Sequence, residues 1–190
     1  MTAINSALLF LINLTFDLYI MALLLRFFLQ YQKADFYNPV SQAVMQITSK
    51  PFLKPLRKII PGYYGLDFAI IFLAFSVLIV KFILINIITV HYLPNIFSII
   101  IWSIGSFIES VLSLYFWCII ISAIMSFIPN FQFNPIYGVF NKLTNPVLNP
   151  IRKKIPAFGG FDFSPFIACI LITLLQILIS QPIINLAFSF

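Results

Sequence analysis

The stretch that decides the fold runs from Asn145 to Pro165 and reads NPVLNPIRKKIPAFGGFDFSP. An earlier stretch, from Lys50 to Ile70, reads KPFLKPLRKIIPGYYGLDFAI and has a very similar sequence. Three prolines, a basic pair, a glycine and an Asp-Phe pair recur in the same order. The first copy has them at Pro51, Pro55, Arg57, Lys58, Pro61, Gly65, Asp67 and Phe68, and the second at Pro146, Pro150, Arg152, Lys153, Pro156, Gly160, Asp162 and Phe163. The chain therefore contains an internal repeat.

The composition indicates a membrane protein. Of 190 residues, 62% are hydrophobic and only 8% are charged, whereas soluble domains carry roughly 25% charged residues. A helical span needs about 20 apolar residues, and four stretches qualify: Leu8 to Leu29, Phe68 to Val90, Phe107 to Ile128 and Phe163 to Ile179. These runs lack the alternation of barrel strands. No charged n-region or cleavage site marks the first run as a signal peptide, so we expect it to remain as a span.

The repeat predicts how the four spans are arranged. Each copy contains a span, a basic loop and a second span, so equivalent points are separated by two crossings and both copies keep one orientation. We therefore predict an all-α membrane protein made of two parallel helix–basic loop–helix repeats. The first repeat covers residues 1–92 and the second covers residues 107–190, with residues 93–106 as a connecting segment. Within that segment, Ile96 to Ile104 either lies flat or extends the third span.

The basic residues predict the topology. The net charge of +6 is concentrated in the two repeated loops, and the stretch from Phe82 to Asn141 contains no Lys or Arg. Basic loops stay on the cytoplasmic side of a membrane, so we expect both loops to be cytoplasmic and both termini to lie on the other side. The same charges predict contact with anionic membrane lipids and do not indicate a nucleic-acid partner.

Each loop is expected to hold short interfacial helices. Asn38 and Asn134, each followed by proline, are typical of an N-cap before the first helical residue. A second short helix is expected to start at Pro51 or Pro146, with an apolar stripe in the interface. Its basic face predicts contacts with lipid headgroups from Lys54, Arg57, Lys58, Arg152, Lys153 and Lys154. Two aspartates, Asp67 and Asp162, are expected to cap the following spans, where the helix dipole favours an anion.

Charged residues inside the spans predict a polar layer. Asp17 and Lys81 both lie about 20 Å from the cytoplasmic ends of their helices, at 1.5 Å per residue. The second repeat has Ser113 and Gln176 at the matching positions. Three interpretations stay open: a structural clasp between helices, a proton or ion relay, or snorkelling toward the outer surface. Two further charges are expected at the membrane surfaces, Arg26 snorkelling to inner headgroups and Glu109 solvated near the outer end of the third span.

Motifs for catalysis and for metal or cofactor binding are missing from the sequence. We find no paired-carboxylate loop, no Cys/His cluster, no Gly-rich phosphate-binding loop and no nucleophile elbow. His91 is the only histidine, and Cys118 and Cys169 both sit in apolar runs, which is typical of packing residues. We therefore predict no enzymatic activity, no cofactor and no metal site.

Several quoted motifs carry a family resemblance. FYNPVSQ, KPFLKPLRKIIP, GLDF, NPVLNPIRKKIP and GGFDFSP resemble the duplicated signature of the YggT family of bacterial integral membrane proteins, over about residues 15–180. The resemblance implies a protein of the bacterial inner membrane that supports osmotic-stress resistance or ion homeostasis. In that membrane the charge asymmetry places both termini in the periplasm. It equally admits a non-catalytic scaffold or assembly factor, because wider relatives are linked to cell division or to haem attachment on a membrane cytochrome. Four spans leave little room for a pore, which favours an accessory role, a homo-oligomer or a membrane-protein partner.

Overall fold

A computed structural model describes residues 3–35, 37–62, 65–128, 130–155 and 162–189. The helices are α1 (Ala3–Tyr31), α2 (Pro39–Thr48), α3 (Lys54–Ile59), α4 (Phe68–Thr89), α5 (Ile96–Ser126), α6 (Pro135–Lys154), α7 (Ser164–Leu175) and α8 (Gln181–Leu186). Two π-helical segments, Ser49–Leu53 and Gln176–Ser180, join α2 to α3 and α7 to α8. Single 3₁₀ turns occupy Phe131–Phe133 and Ala187–Ser189. The all-α prediction is confirmed for this part of the chain.

Four helical units are long and apolar enough to cross a membrane: α1, α4, α5 and the continuous unit Ser164–Ser189. This confirms the four spans, but the third begins earlier than the hydropathy pattern suggests. Most of the expected connecting segment, from Ile96 onward, belongs to α5 and extends the third span. The helix starts there because the side chain of Asn95 accepts a hydrogen bond from the backbone N–H of Phe97 at 3.3 Å, as an N-cap does.

The central helix of the fold is α5, which contacts all the other spans. The first repeat pairs α1 with α4, and the second pairs α5 with α7 and α8. A buried core of Ile20, Leu24, Leu78, Leu114 and Cys118 joins α1, α4 and α5. The two basic loops meet at one end of the spans, where the Asn38 side-chain amide donates to the Pro135 carbonyl at 2.6 Å. We call this end the basic side and the other end the opposite side.

The two basic loops differ in their helices. In the first loop α2, the π-helical segment and α3 follow one another without a gap, so that Pro51 lies inside a continuous helical run. The second loop is one helix, α6, that runs through Pro146 and Pro150. The prediction of a separate helix starting at Pro51 or Pro146 is therefore wrong. Each proline removes only one backbone donor, and α6 keeps its path because buried Val139, Leu143 and Leu148 hold its apolar face against the protein.

The π-helical segment in the first loop accounts for a one-residue difference between the copies. Thr48 and Thr144 are equivalent, but two residues separate Thr48 from the next repeated proline, whereas only Asn145 follows Thr144. A π turn holds one residue more than an α turn, so Ser49–Leu53 takes up the extra residue. Packing on either side is preserved, because both threonines are fully buried and so are the equivalent Leu53 and Leu148.

Three of the four expected caps form side-chain bonds to helix starts. The side chains of Asn38 and Asn134 accept from backbone N–H groups two residues later at 3.0 and 2.9 Å. Asp162 likewise accepts from the N–H of Ser164 at 2.9 Å. Asp67 stands at the N-cap position of α4, as predicted, but its side chain makes no capping bond. Its carboxylate is instead held by Arg57, whose Nε donates to Oδ2 at 2.8 Å.

Candidate polar cavity between the spans

A polar cavity of about 400 Å³ lies between α1, α4, α5 and α8. Apolar side chains from each of these helices line the cavity, and several polar side chains of the spans line it too. The polar walls are formed by Asp17, Lys81, Ser106, Glu109, Ser110 and Ser113. Ionisable groups are expensive inside a bilayer and mark functional sites there, so this cavity is the candidate site.

The first repeat contributes an ion pair to the cavity. Lys81 of α4 places its Nζ 2.6 Å from Oδ1 of Asp17 on α1. The side chain of Lys81 is only 9% exposed, whereas that of Asp17 is 57% exposed. The ammonium is therefore the enclosed partner, and the carboxylate stands where an entering ion or proton can reach it.

The second repeat contributes the neutral counterpart. Gln176 donates from its side-chain amide to the Ser113 hydroxyl at 2.9 Å, so α7 is joined to α5 as α4 is joined to α1. The four candidate residues thus form two equivalent pairs rather than one cluster. Ser113 also lines the cavity, and Gln176 begins the π-helical segment of the fourth span. Such segments in helices are frequent at functional sites.

Glu109 is the cavity residue that the sequence interpretation misplaced. It was expected to be solvated at the outer end of its span, but α5 begins at Ile96, so Glu109 lies about 20 Å into the helix at 1.5 Å per residue. Its carboxylate is half-buried and makes no hydrogen bond or ion pair within the described residues. The Pro94-Asn95 pair before the apolar run is the signal that predicts the earlier helix start and hence this position.

The cavity ends before it reaches the basic side. Next to it toward that side, Ile20, Leu24, Leu114 and Cys118 pack into the buried core that joins the spans. A packed apolar region of this kind excludes water and ions, because it has no polar groups to replace the hydrogen bonds of water or the hydration shell of an ion. In the described part of the chain the cavity is therefore a pocket that can bind and release an ion or proton, and not a continuous channel.

The expected headgroup-binding residues divide into two sets. Lys54, Lys58, Lys153 and Lys154 are exposed, as a contact with lipid headgroups requires. The two arginines are engaged within the protein instead: Arg57 pairs with Asp67, and Arg152 donates from Nε to Asp162 at 2.8 Å. Each of these ion pairs ties the end of a basic loop to the start of the following span.

The pKa of Asp162 is lowered by its surroundings. Burial of the carboxyl group acts in the other direction and raises the pKa, but the hydrogen bond from the Ser164 backbone N–H and then the hydrogen bond and charge of Arg152 outweigh it. Asp162 is therefore held as a carboxylate at the start of α7, where the helix dipole also favours an anion.

The expectation that Arg26 snorkels to the membrane surface is wrong. Its side chain is buried and faces the end of α2, where Nη1 donates to Thr48 Oγ1 at 2.7 Å and to Ser49 Oγ at 2.9 Å. The carbonyl of Met45 lies 3.5 Å from the same nitrogen. Docking of α2 against α1 places these hydroxyls beside Arg26, and hydrogen bonds of this kind offset part of the cost of burying a guanidinium.

No group of three or more His, Cys, Asp or Glu residues that could hold a metal ion occurs among the described residues. The acidic residues of the cavity, Asp17 and Glu109, are accompanied by a lysine and by serines. Such a set suits a proton or a weakly held monovalent cation better than a tightly bound divalent metal.

A family model described as CCB3/YggT matches residues 5–88 and 101–183, the two repeated segments. The chain belongs to the CCB3/YggT family. The chain is 36% identical to a protein of Escherichia coli K12 named uncharacterized protein YggT, over 93% of this chain and 90% of the relative. It is 38% identical to an uncharacterized protein of Pseudomonas aeruginosa, over 94% of this chain and 91% of that one. A Vibrio alginolyticus protein described as lying in the proC 3' region is 41% identical over 82% of this chain and 83% of the relative.

No solved structure matches the chain. The names of the family relatives state no activity. Family membership therefore establishes the repeated membrane architecture, and the cavity is the feature that bears on function.

Proposed function

We propose that this YggT-family protein supports ion homeostasis or osmotic-stress resistance in the bacterial inner membrane, by exchanging a proton or a monovalent cation at the polar cavity. The observation that carries the proposal is the enclosed Lys81 ammonium, paired with the exposed carboxylate of Asp17 beside a second carboxylate, Glu109. One positive and two negative groups in one low-dielectric cavity interact strongly, so a change at any of them alters the others.

The chemistry of exchange follows from the positions of the three groups. Glu109 makes no bond within the described residues, so its carboxylate is available to a proton or a cation that enters from the opposite side. The hydroxyls of Ser106 and Ser110 line the same wall and supply neutral oxygen ligands. Neutralising Glu109 removes an attraction on Lys81 and leaves Asp17 as the sole counter-ion of the buried ammonium.

The closed basic side determines the kind of activity. Because an apolar core separates the cavity from the basic loops, the described fold favours an accessory protein or an oligomer that completes the pathway over a stand-alone open channel. The same reasoning keeps a membrane-protein partner or a second copy of the chain within the proposal.

The decisive experiment measures proton and potassium flux in liposomes that contain the purified full-length protein. Because a single chain is closed on the basic side, we expect flux from the wild type when it assembles in the bilayer into the oligomer that completes the pathway. We expect both Lys81→Gln and Glu109→Gln to abolish this flux, because each removes one charge from the cavity. Lys153→Gln serves as the matched control, since Lys153 is an exposed cation far from the cavity. Flux that persists in Lys81→Gln and Glu109→Gln would contradict the proposal. Absence of flux together with a co-purifying membrane protein would favour the scaffold or assembly function.

The orientation is part of the proposal, with both basic loops cytoplasmic and both termini periplasmic. It rests on the exposed lysines that gather on the basic side. A Ser189→Cys variant without the native cysteines is expected to react with an impermeant thiol reagent in intact spheroplasts. Reaction only after the membrane has been opened would reverse the orientation.

A further inference from the structure

A second cavity, of about 540 Å³, lies on the basic side between the end of α1 and the start of the first loop. It is separate from the exchange cavity, and its lining includes three basic side chains, Arg26, Lys33 and Arg57, but no acidic one. Arg57 is paired with Asp67 outside the lining, and the charge of Asp67 also reaches Arg26, so these three cations share one carboxylate in the described part of the chain. An excess of positive charge at the wall of a partly enclosed cavity attracts an anion.

Arg26 is the strongest indication of an anion site, because its side chain is buried. A guanidinium removed from water needs compensation by an anion or by several acceptors. Nη1 alone donates to the end of α2, while Nε and Nη2 donate no hydrogen bond within the described residues. Three N–H groups of the planar guanidinium therefore remain without an acceptor in the described residues. Their geometry is the one that binds phosphate with two parallel hydrogen bonds.

An unpartnered hydroxyl gives an independent indication of a ligand. Ser41 is buried, and its Oγ has no hydrogen-bond partner, although buried polar atoms are normally satisfied. The same side chain lines the cavity together with Arg26 and Ser49. A phosphate group in the cavity would accept a hydrogen bond from this hydroxyl and at the same time offset the buried charge.

The second repeat provides an internal comparison. Its equivalent crevice, of about 680 Å³, has Ser122 where the first has Arg26 and Tyr137 where the first has Ser41. The remaining cation there, Arg152, faces Asp162 within the same lining. The excess of positive charge is therefore specific to the first repeat, so general basicity of the loops does not explain it.

We propose that the cavity lined by Arg26, Lys33 and Ser41 binds a phosphate group, supplied either by the headgroup of an anionic lipid or by a soluble phosphate. Lys33 is exposed at the mouth of the cavity and attracts the anion, while Arg26 and Ser41 hold it. A bound phosphate group would also fasten α2 to α1, because Arg26 already contacts the end of α2. The proposal does not depend on exchange at the other cavity.

The test uses the full-length protein, purified in a phosphate-free neutral detergent, and follows its thermal unfolding midpoint during titration. One series adds inorganic phosphate against sodium chloride of the same ionic strength. The other adds short-chain phosphatidylglycerol against short-chain phosphatidylcholine. We expect saturable stabilisation of the wild type. For Lys33→Gln and Arg26→Gln we expect a half-saturating concentration about tenfold higher, which corresponds to about 1.4 kcal/mol of binding free energy. Arg152→Gln, in the equivalent crevice, is the matched control and should keep the wild-type value.

The outcomes separate the two sources of phosphate. Saturation by inorganic phosphate assigns a soluble ligand, and saturation by phosphatidylglycerol alone assigns a lipid headgroup. Lys33→Gln decides the matter if Arg26→Gln does not fold, because the side chain of Lys33 is exposed. The proposal is overturned if neither series saturates for the wild type. It is equally overturned if Arg152→Gln weakens binding as much as Lys33→Gln does.

Discussion

Replacing Asp17 by Asn is expected to destabilise the protein strongly, because the change leaves the buried ammonium of Lys81 without its counter-ion. Lys81 is 9% exposed, and its Nζ lies 2.6 Å from Asp17. A charged side chain near the centre of a span costs about 2.5–3.5 kcal/mol on insertion scales, and this sets the size of the expected loss. Asn can still accept one hydrogen bond, so we expect the lower part of that range.

The reverse change, Lys81→Gln, is expected to cost less. Asp17 is 57% exposed and lines the polar cavity, so its carboxylate keeps polar neighbours when the lysine is gone. What is lost is then close to one interhelical hydrogen bond, about 0.6 and at most about 1.7 kcal/mol in a membrane protein. The structure therefore predicts an unequal pair of single-mutant effects, with the aspartate change the larger.

The double variant Asp17→Asn with Lys81→Gln tests whether the charges act together. It converts the first repeat to a neutral pair like Gln176 and Ser113, which are joined at 2.9 Å. We expect a loss of about 1 kcal/mol, the scale of a neutral interhelical bond, and hence a favourable coupling between the two charges. Reversible unfolding in mixed micelles measures all three free energies. If the single effects add to within about 0.5 kcal/mol, the residues are independent and the reasoning is refuted.

Two further predictions concern other contacts. In Gly105→Ala the new Cβ would lie 2.8 Å from a side-chain carbon of Ile184 and 3.0 Å from its backbone nitrogen, so α8 must shift, at a cost of about 1–3 kcal/mol. Gly138→Ala meets nothing within 4 Å and should stabilise α6 by about 0.5–1 kcal/mol, so equal effects in the same unfolding assay would contradict this packing. Because the pKa of Asp162 is lowered in the folded protein, its contribution to stability is complete above the ordinary carboxyl pKa of about 3.9 and is lost as the pH falls through the lower folded value. The unfolding midpoint of Asp162→Asn should lack this part of the acid dependence, and an unchanged profile would exclude the linkage.

The sequence predicted those features that depend on spacing alone. Repeated positions placed Asp17 with Lys81 and Ser113 with Gln176, and the structure brings each pair within hydrogen-bonding distance. A regular rise per residue is sufficient for this, because the two members of each pair are counted from the same membrane surface. Similar counting gave four spans and the position of the basic loops.

Features that depend on contacts between elements could not be read from spacing. Arg26 looked like a snorkelling residue, because nothing in the sequence shows that α2 docks on α1 and presents hydroxyls to it. Glu109 was misplaced because hydropathy alone set the start of its span, although Asn95 was available as a capping signal. The continuity of α6 across its prolines likewise depends on tertiary packing, which outweighs local helix preference.

The π-helical segment Ser49–Leu53 has a consequence for how the two repeats diverged. A single-codon insertion in an ordinary helix rotates everything after it by about 100°, and here that would have carried Leu53 and Arg57 away from their partners. Because the extra residue is confined to one wide turn, the residues on each side are buried as their counterparts in the second repeat are. A chimaera that exchanges the whole loops between the repeats, together with Arg26 and Ser122, should therefore be tolerated. A chimaera whose junction lies within the turn should rotate the downstream half of the loop away from its contacts.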